Sequence, residues 1–175
     1  MDFAPMGDYD RDGHADVVLA TSAEVVLRSG RDGCVLGRID AGGMPILTVG
    51  AAGDVDGNGW LDVITRRDVA GAFRVEVWDV ARSTVLFTRE RNLSSFGEKI
   101  GGVGDLNGDG FDDFFIFDSQ RSDPPMLSSN GVLTVFAGGT FAELLRDLGE
   151  LTCNRYSNCI RVANLTGYAA RPTDV

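Results

Sequence analysis

Oxygen-bearing side chains recur at alternate positions between Gly104 and Asp113. Asp105, Asn107 and Asp109 are each two residues apart, and a glycine follows at position 110. Such spacing lets successive side chains approach a hard cation, and calcium takes about six to eight oxygen ligands. Gly110 permits a sharp reversal, after which Asp113 and a backbone carbonyl can complete the ligand set. The same frame occurs twice more, at Asp8, Asp10, Asp12, Gly13 and Asp16 and at Asp54, Asp56, Asn58, Gly59 and Asp62. The pattern predicts three calcium loops.

The residues after each loop exclude an EF-hand. An EF-hand loop takes a bidentate Glu at its twelfth position and continues into a helix. Here the twelfth positions are Leu19, Thr65 and Ile116, and the last side-chain ligand falls at the ninth position. Apolar, strand-favouring residues follow each ninth position. We therefore expect each loop to join two β-strands.

The charge of the chain is concentrated in these loops. The 175 residues contain 26 Asp and Glu against 16 Lys and Arg, a net charge of −10. The proposed ligand positions of the three loops hold ten of the acids, so the remaining acids equal the basic residues in number. A nucleic-acid or anionic-membrane partner requires a basic surface, so neither is expected. No stretch approaches the ~20 apolar residues of a membrane-spanning helix.

The rest of the chain predicts short strands in three units of four. The loops begin at Asp8, Asp54 and Asp105, with a period near 50 residues that is typical of β-propeller blades. A β-sandwich with tandem loops is the alternative. The last predicted strand is ambiguous, because Glu143 to Arg146 also fit a short helix. The predicted strands are 1–7, 15–21, 24–28 and 34–39; 45–52, 61–66, 73–79 and 84–89; and 98–103, 113–117, 131–137 and 141–148.

The segment from Ser95 to Asp113, SFGEKIGGVGDLNGDGFDD, closely resembles the FG-GAP repeat of integrin alpha-subunit propellers and related bacterial surface proteins. The segment 49–63 resembles the same motif without its leading Phe-Gly, and 5–18 resembles its latter half. The resemblance covers roughly residues 1–148. It implies that each loop joins the first two strands of a blade and binds calcium.

The resemblance also implies a ligand set for each loop. The implied side-chain ligands are Asp8, Asp10, Asp12 and Asp16, then Asp54, Asp56, Asn58 and Asp62, then Asp105, Asn107, Asp109 and Asp113, with backbone carbonyls of His14, Trp60 and Phe111. Asn58 and Asn107 replace carboxylates, so we expect weaker binding in the second and third loops than in the first. Asp112 is expected to be a solvent-facing neighbour and not a ligand. The expected dissociation constants are those of extracellular modules, ~10⁻⁴ to 10⁻³ M.

The resemblance implies an all-β chain, a single propeller-fragment domain spanning 1–175. Its blades cover approximately 1–42, 43–92 and 93–150, and 151–175 resembles the opening of a fourth. Closed propellers have about four to eight blades. Such a segment cannot close a ring alone, so we expect further blades of the same protein, or a protein partner, to complete it.

The sequence favours a binding module over an enzyme. His14 is the only histidine, and no nucleophile elbow or phosphate loop is present. The leading hypothesis is therefore a non-catalytic, calcium-binding module for adhesion or protein assembly, extracellular or at the cell surface, with a periplasmic location as a variant. A carbohydrate-binding propeller that uses Trp60 or Trp78 is one alternative, and a fragment of a propeller hydrolase is another. Whether Cys153 and Cys159 form a disulfide, as an oxidising compartment would permit, is left open.

Overall fold

The computed structural model describes residues 1–22, 24–40, 42–119 and 131–147. Across these ranges the chain is all-β and contains no helix. The proposed fourth repeat and the pair Cys153 and Cys159 lie outside the described residues. The strands are β1 (Asp2–Gly7), β2 (Asp16–Ala20), β3 (Glu24–Arg28), β4 (Val35–Asp40), β5 (Ile46–Gly53), β6 (Asp62–Val69), β7 (Ala72–Asp79), β8 (Thr84–Arg91), β9 (Lys99–Gly104), β10 (Asp113–Asp118), β11 (Val132–Phe136) and β12 (Glu143–Asp147).

The strands form three separate four-stranded antiparallel sheets, each with its strands in chain order. We call them sheet I (β1–β4), sheet II (β5–β8) and sheet III (β9–β12). The four strands predicted for each unit are confirmed. The helix considered for the segment from Glu143 is wrong, because that segment pairs with β11 as strand β12.

The same irregularity precedes all three loops. In each sheet the first strand carries one extra residue just before its last position, at Met6, Ala52 and Val103. The next residue is a glycine with positive φ, namely Gly7 at 80°, Gly53 at 91° and Gly104 at 70°. Residues with a side chain rarely adopt such angles. The Gly-Asp pair in each repeat therefore ends the ladder with a bulge and turns the chain into the loop.

Sheet II is buried on both faces. On one side Val63 contributes to an apolar cluster with residues of sheet I that include Val18 and Leu27. On the other side Ile64 contributes to a second cluster with sheet III residues that include Phe114. Neighbouring residues of a strand point to opposite faces, so both must be apolar when both faces are covered. This explains why β6 is buried along most of its length.

The Phe-Gly pair that opens the third repeat belongs to the second cluster. Phe96 is almost fully buried there, and its carbonyl accepts a hydrogen bond from Arg66 Nε of sheet II at 2.7 Å. Gly97 has a φ of 67°, and its N–H donates to Asp118 Oδ1 at 3.0 Å. The pair therefore connects sheet II to the edge of sheet III through both packing and hydrogen bonds.

The first strands of consecutive sheets lie side by side, β1 next to β5 and β5 next to β9. Glycine allows the closest of these approaches. A Cβ added at Gly102 of β9 would lie 2.5 Å from the carbonyl oxygen of Ala52 in β5, and one at Gly50 would lie 3.3 Å from that of Ile100. The backbones of β5 and β9 are therefore too close for side chains at these positions.

We expect Gly102→Ala to destabilise the fold by about 1–3 kcal/mol, because the added methyl must push β9 away from the backbone of β5. Urea denaturation in the presence of a chelator measures the free energy of unfolding. Val103→Ala is the control on the same strand, since Val103 is 42% exposed. Equal stability of Gly102→Ala and the unchanged protein would contradict the close packing of the two strands.

Candidate metal-binding loops

The three predicted loops have the same internal structure. We number their positions 1 to 9, so that loop 1 is 8–16, loop 2 is 54–62 and loop 3 is 105–113. Each lies between the first and second strands of its sheet, as predicted. Position 6 is a glycine with positive φ in all three, at 89°, 87° and 92° for Gly13, Gly59 and Gly110. The reversal that the sequence assigned to these glycines is confirmed.

The carboxylate at position 1 holds the reversal together. In loop 1, Asp8 Oδ1 accepts the N–H of Asp12 at 3.0 Å, and Asp8 Oδ2 accepts the N–H of Gly13 at 2.9 Å. The equivalent pairs are Asn58 and Gly59 on Asp54 at 3.0 and 2.8 Å, and Asp109 and Gly110 on Asp105 at 3.1 and 2.9 Å. One side chain thus satisfies two backbone donors that the turn would otherwise leave unpaired.

The side chains at positions 3, 5 and 9 are fixed in the same way. Position 3 accepts the N–H of position 5, and position 5 accepts the N–H of position 7. Position 9 accepts the N–H of position 2, which ties the start of the second strand to the start of the loop. The acceptors are Asp10, Asp56 and Asn107 at position 3, Asp12, Asn58 and Asp109 at position 5, and Asp16, Asp62 and Asp113 at position 9, with distances of 2.7–3.2 Å.

These bonds bring carboxylates together in the first two loops. One oxygen from each of Asp8, Asp10 and Asp16 lies within 4.8 Å of the others, and the same holds for Asp54, Asp56 and Asp62. Of the described residues, no other acidic, histidine or cysteine side chains converge in threes to this extent. Loop 3 differs because position 3 is Asn107, an amide, whose nitrogen donates to Asp109 Oδ2 at 2.9 Å.

Asp62 is the most unusual of these carboxylates. It is fully buried, and its Oδ1 has no hydrogen-bond partner among the described residues. The equivalent oxygens are satisfied, since Asp16 Oδ1 accepts the N–H of Gly30 at 3.0 Å and Asp113 Oδ1 accepts that of Gly138 at 2.9 Å. Burial, together with the charges of nearby carboxylates, raises the pKa of Asp62 to about 8. A buried, unpaired carboxylate oxygen is costly unless a cation accompanies it.

The donor set suits a hard cation. All the converging ligands are oxygens, and loop 1 and loop 2 each supply three carboxylates to one point. Partial desolvation and the neighbouring carboxylates also raise the pKa of Asp10, since like charges oppose ionisation. The residues present therefore fit calcium better than they fit zinc or copper, which favour nitrogen and sulfur ligands.

The residues at position 7 were predicted to act through their carbonyls, and their side chains make other contacts. The His14 ring is exposed and lies 3.3 Å from Asp12 Oδ1. The Trp60 ring packs on Tyr9 of loop 1, with ring centroids 5.1 Å apart, and lies under the Arg11 guanidinium. The Phe111 ring lies against Gly57 of loop 2, where an added Cβ would be 2.7 Å away. Loops 2 and 3 therefore each pack on the loop before them.

The expectation that Asp112 faces solvent is wrong. Asp112 is half-buried at position 8 of loop 3, and its Oδ2 accepts the N–H of Asp54 at 2.8 Å. The N–H of Asp112 donates to the carbonyl of Asp54 at 3.0 Å, so the two residues are joined by a pair of hydrogen bonds. Gly53, just before Asp54, leaves room for this contact, because an added Cβ there would lie 2.4 Å from the Asp112 carboxylate.

Two further residues beside loop 2 were not predicted from the sequence. Asp79, at the end of β7, is fully buried, and its Oδ2 accepts a hydrogen bond from Asn58 Nδ2 at 3.1 Å. Arg82 follows in the turn and contacts both Asp79 and Asp56. Neither residue belongs to the repeated motif, and no spacing rule connects them to loop 2. Only the folding of β7 against β6 brings them there.

The chain matches no protein-family model, and no curated protein sequence matches it. The resemblance to FG-GAP repeats therefore rests on the motif residues themselves.

We expect Asp112→Ala to lower the free energy of unfolding by about 1–2 kcal/mol in a chelator, because the N–H of Asp54 loses its acceptor in a half-buried position. Asp112→Asn keeps an acceptor oxygen and should lose less. Asp40→Ala is the control, because Asp40 is exposed and accepts one backbone bond, from Gly42. If Asp112→Ala has the same free energy of unfolding as the unchanged protein, the contact between loops 2 and 3 does not contribute to stability.

Proposed function

We propose that this chain is a calcium-binding β-propeller module of the FG-GAP type, that it is not a catalyst, and that it acts in adhesion or protein assembly outside the cytoplasm. The observation that carries the proposal is the buried, unpartnered oxygen of Asp62 in a loop whose other carboxylates converge on it. A cation there would neutralise charges that otherwise repel one another.

The residues that would hold calcium are those at positions 1, 3, 5 and 9 of each loop, with the position 7 carbonyls of His14, Trp60 and Phe111. When bound, the ion supplies positive charge and rigid coordination, and no chemical step is assigned to it. The protein contributes the backbone hydrogen bonds that preset the side chains. Because the loops join the first two strands of each sheet, an ion there would strengthen the start of every sheet.

The packing of the sheets supports the propeller part of the proposal. The three sheets stack in chain order, and their first strands are neighbours, as blades around an axis require. The outer face of sheet I carries an exposed apolar residue, Phe3, beside Leu19. Phe3 pairs with Leu19 on the side opposite Val18, and Phe3 is 70% exposed. A further sheet packed on this face would bury these residues, which supports additional blades of the same protein or a partner.

The carbohydrate-binding alternative has less support. A sugar platform needs an open aromatic face, whereas the Trp60 ring contacts Tyr9 and lies under Arg11. Trp78 is half-buried against the cluster between sheets I and II, with Arg67 near its ring. Both tryptophans are engaged in packing within the chain.

Calcium should raise the melting temperature in proportion to the sites filled. At a tenfold to hundredfold excess over the dissociation constant, each occupied site adds about 1.4 to 2.7 kcal/mol to stability. Thermal melts in calcium, magnesium and chelator test this, together with a count of bound metal, for which we expect about three ions per chain. Indifference of the melting temperature to calcium would refute the proposal.

Asp62→Asn should reduce this calcium response, because it removes the buried negative charge of loop 2. In a chelator near pH 7 the variant should be about as stable as the unchanged protein, because a carboxyl with a pKa of about 8 is mostly neutral there and Asn keeps an acceptor for the N–H of Val55. Asp40→Asn serves as the control for the loss of one exposed carboxylate. A full wild-type calcium response in Asp62→Asn would remove loop 2 from the set of sites.

The assembly part predicts that the isolated chain self-associates through the outer face of sheet I. Sedimentation should show a concentration-dependent increase in mass that Phe3→Ser weakens. Val85→Ser is the control, because Val85 is 43% exposed on β8 of sheet II, away from this face. A chain that stays monomeric and cooperatively folded at high concentration would show that its exposed face needs no partner.

A further inference from the structure

Loop 2 has a positively charged side chain beside its proposed ligands. Arg82 Nη1 lies 3.0 Å from Asp56 Oδ2 and 2.8 Å from Asp79 Oδ2. Asp56 is at position 3 of loop 2, and one of its oxygens converges with those of Asp54 and Asp62. A guanidinium therefore already contacts one of the three carboxylates that a cation would use.

We propose that Arg82 is an internal counter-cation of loop 2 that weakens metal binding there and stabilises the loop when no metal is bound. This inference rests on the proposed calcium site. It concerns a residue outside the repeated motif, at a place where loops 1 and 3 have no described equivalent contact.

The position of Arg82 is fixed by Asp79. The backbone N–H of Arg82 donates to Asp79 Oδ1 at 3.0 Å, while its side chain contacts Asp79 Oδ2. Asp79 is fully buried at the end of β7, and Asn58 Nδ2 of loop 2 binds the same Oδ2. Asp79 therefore holds both the guanidinium and the position 5 side chain, and acts on the loop through them.

Charge determines the direction of the effect. A divalent ion at loop 2 would be repelled by the guanidinium and would compete with it for Asp56. The guanidinium is 59% exposed, so water screens this repulsion, and the change in affinity it causes is of the order of severalfold. In the metal-free loop the same contact offsets the repulsion among the carboxylates.

The test is a calcium titration of the whole chain followed by nuclear magnetic resonance. The backbone amides of Gly13, Gly59 and Gly110 occupy position 6 of the three loops and report each loop separately. In Arg82→Gln we expect the Gly59 amide to reach half-saturation at severalfold lower calcium, with Gly13 and Gly110 unchanged. Arg82→Lys keeps the charge and should titrate like the unchanged protein. Arg38→Gln removes an exposed arginine paired with Glu24 in sheet I and is the charge control.

A merely structural role for Arg82 would weaken binding when the residue is lost, and it would not tighten it. Thermal melts of the same variants supply a second readout. In a chelator Arg82→Gln should melt below the unchanged protein, and the calcium-induced rise should be larger. Folding of the variant is expected, because Asp79 keeps two donors, the Arg82 N–H and Asn58 Nδ2.

The two proposals fail separately. If the Gly59 amide of the unchanged protein does not respond to calcium, the calcium site itself is refuted. If it responds, and Arg82→Gln binds calcium equally or more weakly at Gly59, the role of Arg82 is overturned. A tightening that also appears in Arg38→Gln or in Arg82→Lys would overturn it as well, because the effect would then not depend on the charge at this position.

Discussion

The fold depends on a carboxylate that accepts two backbone N–H groups. Asp8, Asp54 and Asp105 each bond the amides of positions 5 and 6, and this closes the reversal between the first two strands of a sheet. The reversal places the second strand beside the first with the register that buries its apolar face. The same bonds leave further carboxylate oxygens for a cation, so the turn and the candidate metal site are one structure.

The three sheets are connected by contacts at the level of the loops as well as by their apolar faces. Trp60 packs on loop 1, and Asp112 is bonded to Asp54 in loop 2. Gly50 and Gly102 let the first strands approach within backbone contact just behind the loops. The hydrogen bonds that form each turn and the contacts between sheets thus lie close together, so a change in one loop also alters the contacts of the next loop.

Much of this could be predicted because the signals are local and repeated. The glycine and aspartate spacing identified the loops, and the runs of apolar, strand-favouring residues after them identified the strands. The missing parts are those that depend on distant segments. Asp112 meets Asp54 only when sheets II and III stack, and Arg82 reaches Asp56 only because β7 folds back along β6. Asp112 lies at position 8 of its loop, and Arg82 lies in the turn after the third strand of its sheet. Neither location has a sequence pattern that predicts such contacts. The ambiguity at Glu143 had the same origin, since pairing with β11 decided it.

The clustering of the loops along one side of the stack gives the molecule an uneven distribution of charge. The chain carries a net charge of −10, and ten of its acids lie at the proposed ligand positions of the three adjacent loops. Three divalent ions would bring the total to about −4 and remove most of the excess from that side. Electrophoretic mobility and solubility would then follow the calcium concentration of the surroundings. Two molecules, or a molecule and an acidic surface, could approach through the loop side in calcium-rich fluid and would repel each other where calcium is scarce.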